Sequence, residues 1–567
     1  MKKPHELFLG KPHIASRHSV VINDIRYIGF KPTDSAAEPI NFRGIPYANS
    51  TAGNQRLAAP TPYVAAQDEI DCTAFGPACW QDPVGMRMVF EGLLTMFREI
   101  IFPSTKVGHS KAYGQFSEDC LNLNLWTPAL DDQKRAVMVW IHGGAFKSGS
   151  NSELGLYNGT HLSHKGDVVV VSINYRFGLF ALHLPDEGIS NIALQDQIFA
   201  LQWIEEHIAK FGGDPNNVTI FGESAGGISV ANLLASSKAK GLFHKAICQS
   251  GGGLSLTPEE YQRVFNTAAE QLKKATKGEP LTADHIRSVE SPRDLVKVSG
   301  KVDEALEAFG TTKIGYLPLR DGTHVDAEGV LSALKKGAGS QVPLLVGSNT
   351  QEMQLFIAAF GPLFPTNQKM VTRGIRQLLD QLAEGESAEE AHAVEVATTR
   401  VWASFSESLA EKAGKVPSKR ALLEACVTFL TFTLPSYQLA EAHVQGSGGQ
   451  VYSYLLHYGS EKFGACHGVD LHLLWNFGAP YEEYFCKGKV NFLPDYQDQQ
   501  VALLADEMQR AWIHFAKTGT PAAVHQKVWE PFPSRMNLDL TSFVDSWDND
   551  GALQNWFKIE KATNLAT

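Results

Sequence analysis

Residues 218–226 read Val218-Thr219-Ile220-Phe221-Gly222-Glu223-Ser224-Ala225-Gly226. The β-branched run Val218 to Phe221 predicts a strand, and Ile228 to Ser237 predicts a helix. A serine between two glycines therefore stands where a strand turns sharply into a helix. Small residues on both sides let such a turn close, and the strained turn holds the serine oxygen clear of the sheet. G-x-S-x-G alone marks only a tight turn. The strand before it and the helix after it make Ser224 a candidate nucleophile.

Outward from this turn, strands alternate with helices over residues 120–260. Leu121 to Trp126 alternates with period two. Ala136 to Ile141 and Val168 to Val171 are continuous apolar runs that suit strands buried on both faces of a sheet. A helix is predicted over Ile192 to Lys210, and Gly212-Gly213-Asp214-Pro215 reads as a turn. Ala246 to Gln249 and Val342 to Val346 read as short strands, and Val501 to Phe515 as a helix ended by Lys517 to Pro521. Residues 260–340 and 365–450 are polar and helical in pattern. The expected fold is α/β: a large, mostly parallel central sheet with helices on both faces and helical insertions. One catalytic domain is expected across residues 1–567.

The chain has 567 residues, of which 44% are hydrophobic and 20% charged, and a net charge of −11. That is globular composition with length for a large core. The acidic balance without a basic cluster argues against nucleic acid and anionic membrane as partners. Leu7-Phe8-Leu9 is too short for the apolar run of about 7–15 residues in a signal peptide. No window approaches the roughly 18 apolar residues of a membrane span. The expected location is the cytoplasm, or the exterior with a leader outside this numbering. Seven cysteines do not form a dense disulfide framework.

A serine hydroxyl needs a base to take its proton, an acid to orient the base, and donors for the oxyanion. His142-Gly143-Gly144-Ala145-Phe146 follows a predicted strand. Glycine-rich backbone there leaves N–H groups free to face a cavity, so Gly144, Ala145 and Ala225 are the candidate donors. Among 19 histidines, His467 stands on the small-residue loop Gly464 to Gly468, after the strand-like Val451 to Leu456. Loops after sheet strands are where such folds place their chemistry. His467, Asp470 and His472 offer an alternative metal site, without the paired cysteines of a structural zinc centre. The candidate acid is Glu352, just past the strand ending at Val346. The chain order is then serine, acid, histidine. No metal and no cofactor is called for.

Taken together these segments resemble the type-B carboxylesterase and cholinesterase family of α/β-hydrolases. The matching segments are Asn41 to Ala48, Ser117 to Asn124, Asn174-Tyr175-Arg176, Phe211 to Pro215, Phe221 to Gly227, Gly347 to Glu352, His467-Gly468 and Trp512 to Pro521. The resemblance implies a serine esterase acting on a small ester, with Ser224, Glu352 and His467 as its triad. It implies that Ser250 supports the acid, that Arg43 and Glu118 form a buried ion pair, and that Cys79 and Cys120 form a disulfide. Trp80 stands too early to match the family's choline-binding tryptophan. The loop between the two cysteines instead carries a dense apolar stripe from Met86 to Phe102, suited to a lid or gorge wall over lipophilic esters. Leu355 to Phe360 is a second apolar stretch, suited to the pocket or to plain core. Acyl transfer or amide cleavage through the same acyl-enzyme, and a silent binding protein of this fold, are the alternatives.

Overall fold

The computed structural model describes residues 12–81, 109–110, 114–273, 281–306, 315–360, 399–400, 403, 405–407, 418–447, 450–461, 463–476 and 498–563. The apolar stripe from Met86 to Phe102 and most of the predicted 365–450 insertion lie outside them.

Among the described residues, thirteen strands form one sheet. In chain order they are β1 (Ser16–Ile22), β2 (Ile25–Lys31), β3 (Ile40–Pro46), β4 (Glu69–Asp71), β5 (Asn122–Thr127), β6 (Arg135–Ile141) and β7 (Val169–Ile173). Then follow β8 (Gly213–Glu223), β9 (Lys245–Gln249), β10 (Leu344–Asn349), β11 (Val451–Leu456), β12 (Ser534–Leu538) and β13 (Phe543–Ser546). The spatial order is β1-β2-β3-β5-β7-β6-β8-β9-β10-β11-β12-β13, with β4 beside β2. Pairing is parallel from β7 through β12 and between β2 and β4, and antiparallel in the remaining pairs.

The parallel strands are buried on both faces, and their side chains divide between two cores. From β6, Val137, Val139 and Ile141 enter one core, where they meet Leu194, Ile198 and Leu201 of the helix Ile192–His207. Ala136, Met138 and Trp140 enter the other, against Leu504, Met508 and Trp512 of the helix Gln499–Thr518. Alternation in β5 has a different cause from half-exposure, because all six residues are buried. Leu123 and Leu125 join the first core. Asn124 accepts from the Gly44 N–H at 2.9 Å and donates to the Asn151 carbonyl at 3.2 Å.

Two predicted boundaries move. Gly213-Asp214-Pro215 belongs to β8 rather than to a turn, because a register shift between Gly213 and Val218 lets Gly213 pair with Arg135. β10 runs to Asn349, three residues past the predicted end at Val346. In the Leu355 to Phe360 stretch, Leu355 and Ile357 are buried in different cores.

The expected Arg43–Glu118 pair is not formed. Glu118 is paired with Arg56, whose Nη2 donates to Oε2 at 2.9 Å, both side chains being buried. Arg56 Nη1 also donates to the Ile286 carbonyl at 2.9 Å. Arg43 lies against the rings of Phe30 and Phe75, 5.0 and 4.3 Å from their centroids, a cation–π arrangement. Cys79 and Cys120 are joined by a disulfide.

Candidate active site

Ser224 stands between β8 and the helix Ala225–Ala235, at φ 58° and ψ −124°. An L-residue in this region carries about 1–3 kcal/mol of strain. The neighbours hold it there. The Ser224 N–H donates to the Gln249 carbonyl at 2.9 Å, and its own carbonyl accepts from Ile228 at 2.9 Å. Gly226 is required by contact, since a Cβ there would lie 2.0 Å from the Ile141 carbonyl oxygen.

Glu352 follows β10 and is fully buried. Its Oε1 accepts from Ser250 Oγ at 2.6 Å and from the Asn349 N–H at 2.7 Å. Its Oε2 lies 2.7 Å from His467 Nδ1. The Glu352 carbonyl accepts from the His467 N–H at 3.2 Å, so the acid holds the histidine by ring and backbone. Ser250, Glu352 and His467, from three separate loops after strands, thus form one relay.

The other ring nitrogen meets a group for which the sequence suggested no role. His467 Nε2 lies 3.1 Å from Glu223 Oε1, in an ion-pair contact outside hydrogen-bond alignment. Burial raises the Glu223 carboxyl to about 8, against the lowering pull of His467 and with Asp470 and Glu352 adding to the rise. Burial lowers His467, but Glu223 and Glu352 override it and raise the imidazole to about 9. Burial and the Glu352 charge likewise lift Asp470 to about 6. Glu223 was visible in the motif, and its place next to the serine was the signal for it.

Two phenylalanines cover the imidazole. The ring centroids of Phe356 and Phe432 lie 5.2 and 4.8 Å from that of His467. Phe432 comes from a single π-helical turn, Phe429–Thr433, between two α-helical segments. Such turns often occur at functional sites.

The loop after β6 packs against the serine: a Cβ on Gly143 would lie 3.2 Å from Ser224 Cβ. Gly144, Ala145 and Phe146 have φ of 108°, 55° and 55°, a run of left-handed backbone. The Gly144 carbonyl accepts from both Lys147 and Ser148 at 3.0 Å, which closes the loop. Among the described residues none accepts from the N–H groups of Gly144, Ala145 or Ala225. Ala225 opens its helix, where the first N–H groups have no intrahelical partner and the dipole is positive. The alternative metal set does not converge: Asp470 accepts from Gln249 Nε2 at 2.7 Å, and His467 is held by two glutamates.

A strained strand-to-helix serine over a parallel sheet, with a histidine and a buried acid on later loops, defines an α/β-hydrolase. The profile of the carboxylesterase family matches residues 29–546. The chain is 32% identical to a para-nitrobenzyl esterase of Bacillus subtilis over 487 residues, 85% of this chain and 86% of the relative. It is 30% identical to an acetylcholinesterase of Bungarus fasciatus over 496 residues, 85% of this chain and 75% of the relative. A solved structure of a PNB esterase superposes with a TM-score of 0.77 at 28% identity, covering 96% of this chain and all of the other. The chain belongs to the carboxylesterase family and is a carboxylic ester hydrolase. No helix among the described residues is long and apolar enough to cross a membrane.

Proposed function

We propose that hydrolysis proceeds through an acyl-enzyme on Ser224, with His467 as base and Glu352 as its orienting acid. Ser224 Oγ attacks the ester carbonyl carbon while its proton passes to His467 Nε2. The carbonyl oxygen becomes an oxyanion, held by the N–H groups of Gly144, Ala145 and Ala225. On collapse the bond to the alcohol oxygen breaks, and His467 returns the proton to that oxygen. Water then gives a proton to His467, attacks the acyl carbon and releases the acid, and Ser224 recovers its proton. The observation that carries this reading is the relay from Ser250 through Glu352 to His467 Nδ1, at 2.6 and 2.7 Å. It fixes the ring so that Nε2 is the nitrogen left to do acid–base work. Phe356 and Phe432 over the imidazole favour apolar esters as substrates.

The test is Ser224→Ala assayed on p-nitrophenyl esters, beside mass spectrometry of wild type treated with an organophosphate. The expected result is loss of turnover in the variant and one added phosphoryl mass on the peptide carrying Ser224. Wild-type turnover by Ser224→Ala overturns the assignment. A panel of acyl esters, amides and alcohol acceptors then sets hydrolysis against acyl transfer.

A further inference from the structure

His142 is fully buried at the end of β6 and takes no part in the relay. Its ring stacks on Tyr175 at 4.4 Å and 18°, and the Tyr175 hydroxyl donates to the His142 carbonyl at 2.8 Å. Its Nδ1 lies 2.8 Å from the carbonyl oxygen of the next residue, Gly143. That oxygen can only accept, so Nδ1 carries the hydrogen. Nε2 is then bare, and it has no hydrogen-bond partner among the described residues. Burial holds this imidazole neutral, lowering it to about 4.

The partner of His142 is half of a peptide unit whose other half matters. In a planar trans peptide the C=O and the following N–H point in opposite directions. Pinning the Gly143 oxygen towards His142 therefore aims the Gly144 N–H the other way. The same oxygen is backed from behind by Gly149, where a Cβ would lie 2.6 Å from it and 2.5 Å from His142 Nδ1. Gly149 is itself clamped by Gln81, which accepts from its N–H at 3.0 Å and donates to its carbonyl at 2.9 Å.

We infer that His142 is a positioning residue, backed by Gln81 through Gly149, that holds the Gly143–Gly144 peptide so its N–H faces the oxyanion. This rests on the reading of Gly144 as an oxyanion donor. The Lys147 and Ser148 N–H groups hold the following carbonyl, that of Gly144, and the His142 contact holds the peptide before it; a donor off line contributes little to the transition state.

Three variants separate the roles of the ring. His142→Phe keeps the stack on Tyr175 and removes the donor. His142→Asn keeps a donor near the Nδ1 position. His142→Gln carries its amide one carbon further from Gly143 and stands in if the phenylalanine variant does not fold. Losing the donor is expected to lower kcat about ten- to a hundredfold, less than deleting an oxyanion donor outright, with KM within about twofold. Affinity for a trifluoromethyl ketone, whose serine adduct carries the oxyanion, should fall by the same factor. The asparagine variant should restore most of both. Gln81→Leu should show the same split at a smaller fold. A kcat within twofold of wild type for His142→Phe, an asparagine variant no better than it, or unchanged ketone affinity overturns the inference. Phosphorylation of Ser224 by the organophosphate is scored separately in each variant, so failure of the serine reading is told apart from failure of this one.

Discussion

Glu223 Oε1 stands 3.1 Å from His467 Nε2, the nitrogen proposed to accept the Ser224 proton. Glu223 is next to the nucleophile in sequence, yet its carboxylate faces the base. One proton between these two groups competes with the proton that catalysis moves. The pair is raised as a unit, the carboxyl to about 8 by burial and the imidazole to about 9 by Glu223 and Glu352 against burial. If His467 is the base it works only when neutral, so kcat should rise with pH through a midpoint of about 9. Glu223→Gln removes an attraction for the imidazolium. It should move the midpoint of that rise to lower pH by about one to three pH units. A pH–kcat profile checks this, and an unmoved midpoint contradicts it.

Ser250 is the second donor on Glu352 Oε1 besides the Asn349 N–H. Ser250→Ala leaves a buried carboxylate short of one charge-assisted bond, a loss of about 1.5–3 kcal/mol. The expected phenotype is a lower urea midpoint together with a kcat reduced by about tenfold. Steady-state kinetics beside urea denaturation reads both.

The ion pair of Glu118 with Arg56 sets a contrast between two arginines. Arg56→Met strands a buried carboxylate and should cost about 3–5 kcal/mol. Arg43→Leu gives up ring contacts only and should cost about 1 kcal/mol. Chemical denaturation of the two variants ranks them, and the opposite order would return the pairing to Arg43.

Gly226→Ala drives a methyl group to 2.0 Å from the Ile141 carbonyl. The elbow should lose about 3 kcal/mol or fail to form. Gly551→Ala, where nothing lies within 4 Å, is the matched control and should be silent in a thermal melt.

His142 and His183 are fully buried, and burial lowers each to about 4. The unfolded chain binds these protons near pH 6.5. Both contributions are therefore complete above about 6.5 and are lost as pH falls towards about 4, roughly 3 kcal/mol each at the limit. Urea midpoints at pH 7.5 and 4.5 should differ accordingly. His183→Gln should flatten the dependence.

The elbow and the alternation of strands and helices were legible because each depends on local constraints, whereas Glu352 stood out from other loop glutamates only through the family resemblance. Gly226 must be glycine wherever a helix turns back over Ile141, and an apolar run such as Ala136 to Ile141 must be covered on both sides. What escaped reading depends on chain passing far from itself. Arg43 and Arg56 are equally plausible partners for Glu118 until the path of β3 is known. Gly213-Asp214-Pro215 has turn composition, and only the neighbouring Arg135 draws it into the sheet. Phe432 reaches His467 from a π-helical turn, and a one-residue widening of a helix leaves no periodic mark. The Glu223 carboxyl is raised by burial, against the pull of His467 and with Asp470, Glu352 and Glu153 adding to the rise, none of these residues near it in sequence.

Gln81 sits two residues from Cys79, and its amide grips Gly149 in both directions. Cys79 is tied to Cys120 across a separation of 41 residues. The two cysteines are thus anchored to each other, and Gln81 beside one of them is bonded to the backbone near the candidate oxyanion donors. A change at either cysteine would therefore be felt at Gly149 through Gln81, although the two sulfurs lie 41 residues apart in sequence.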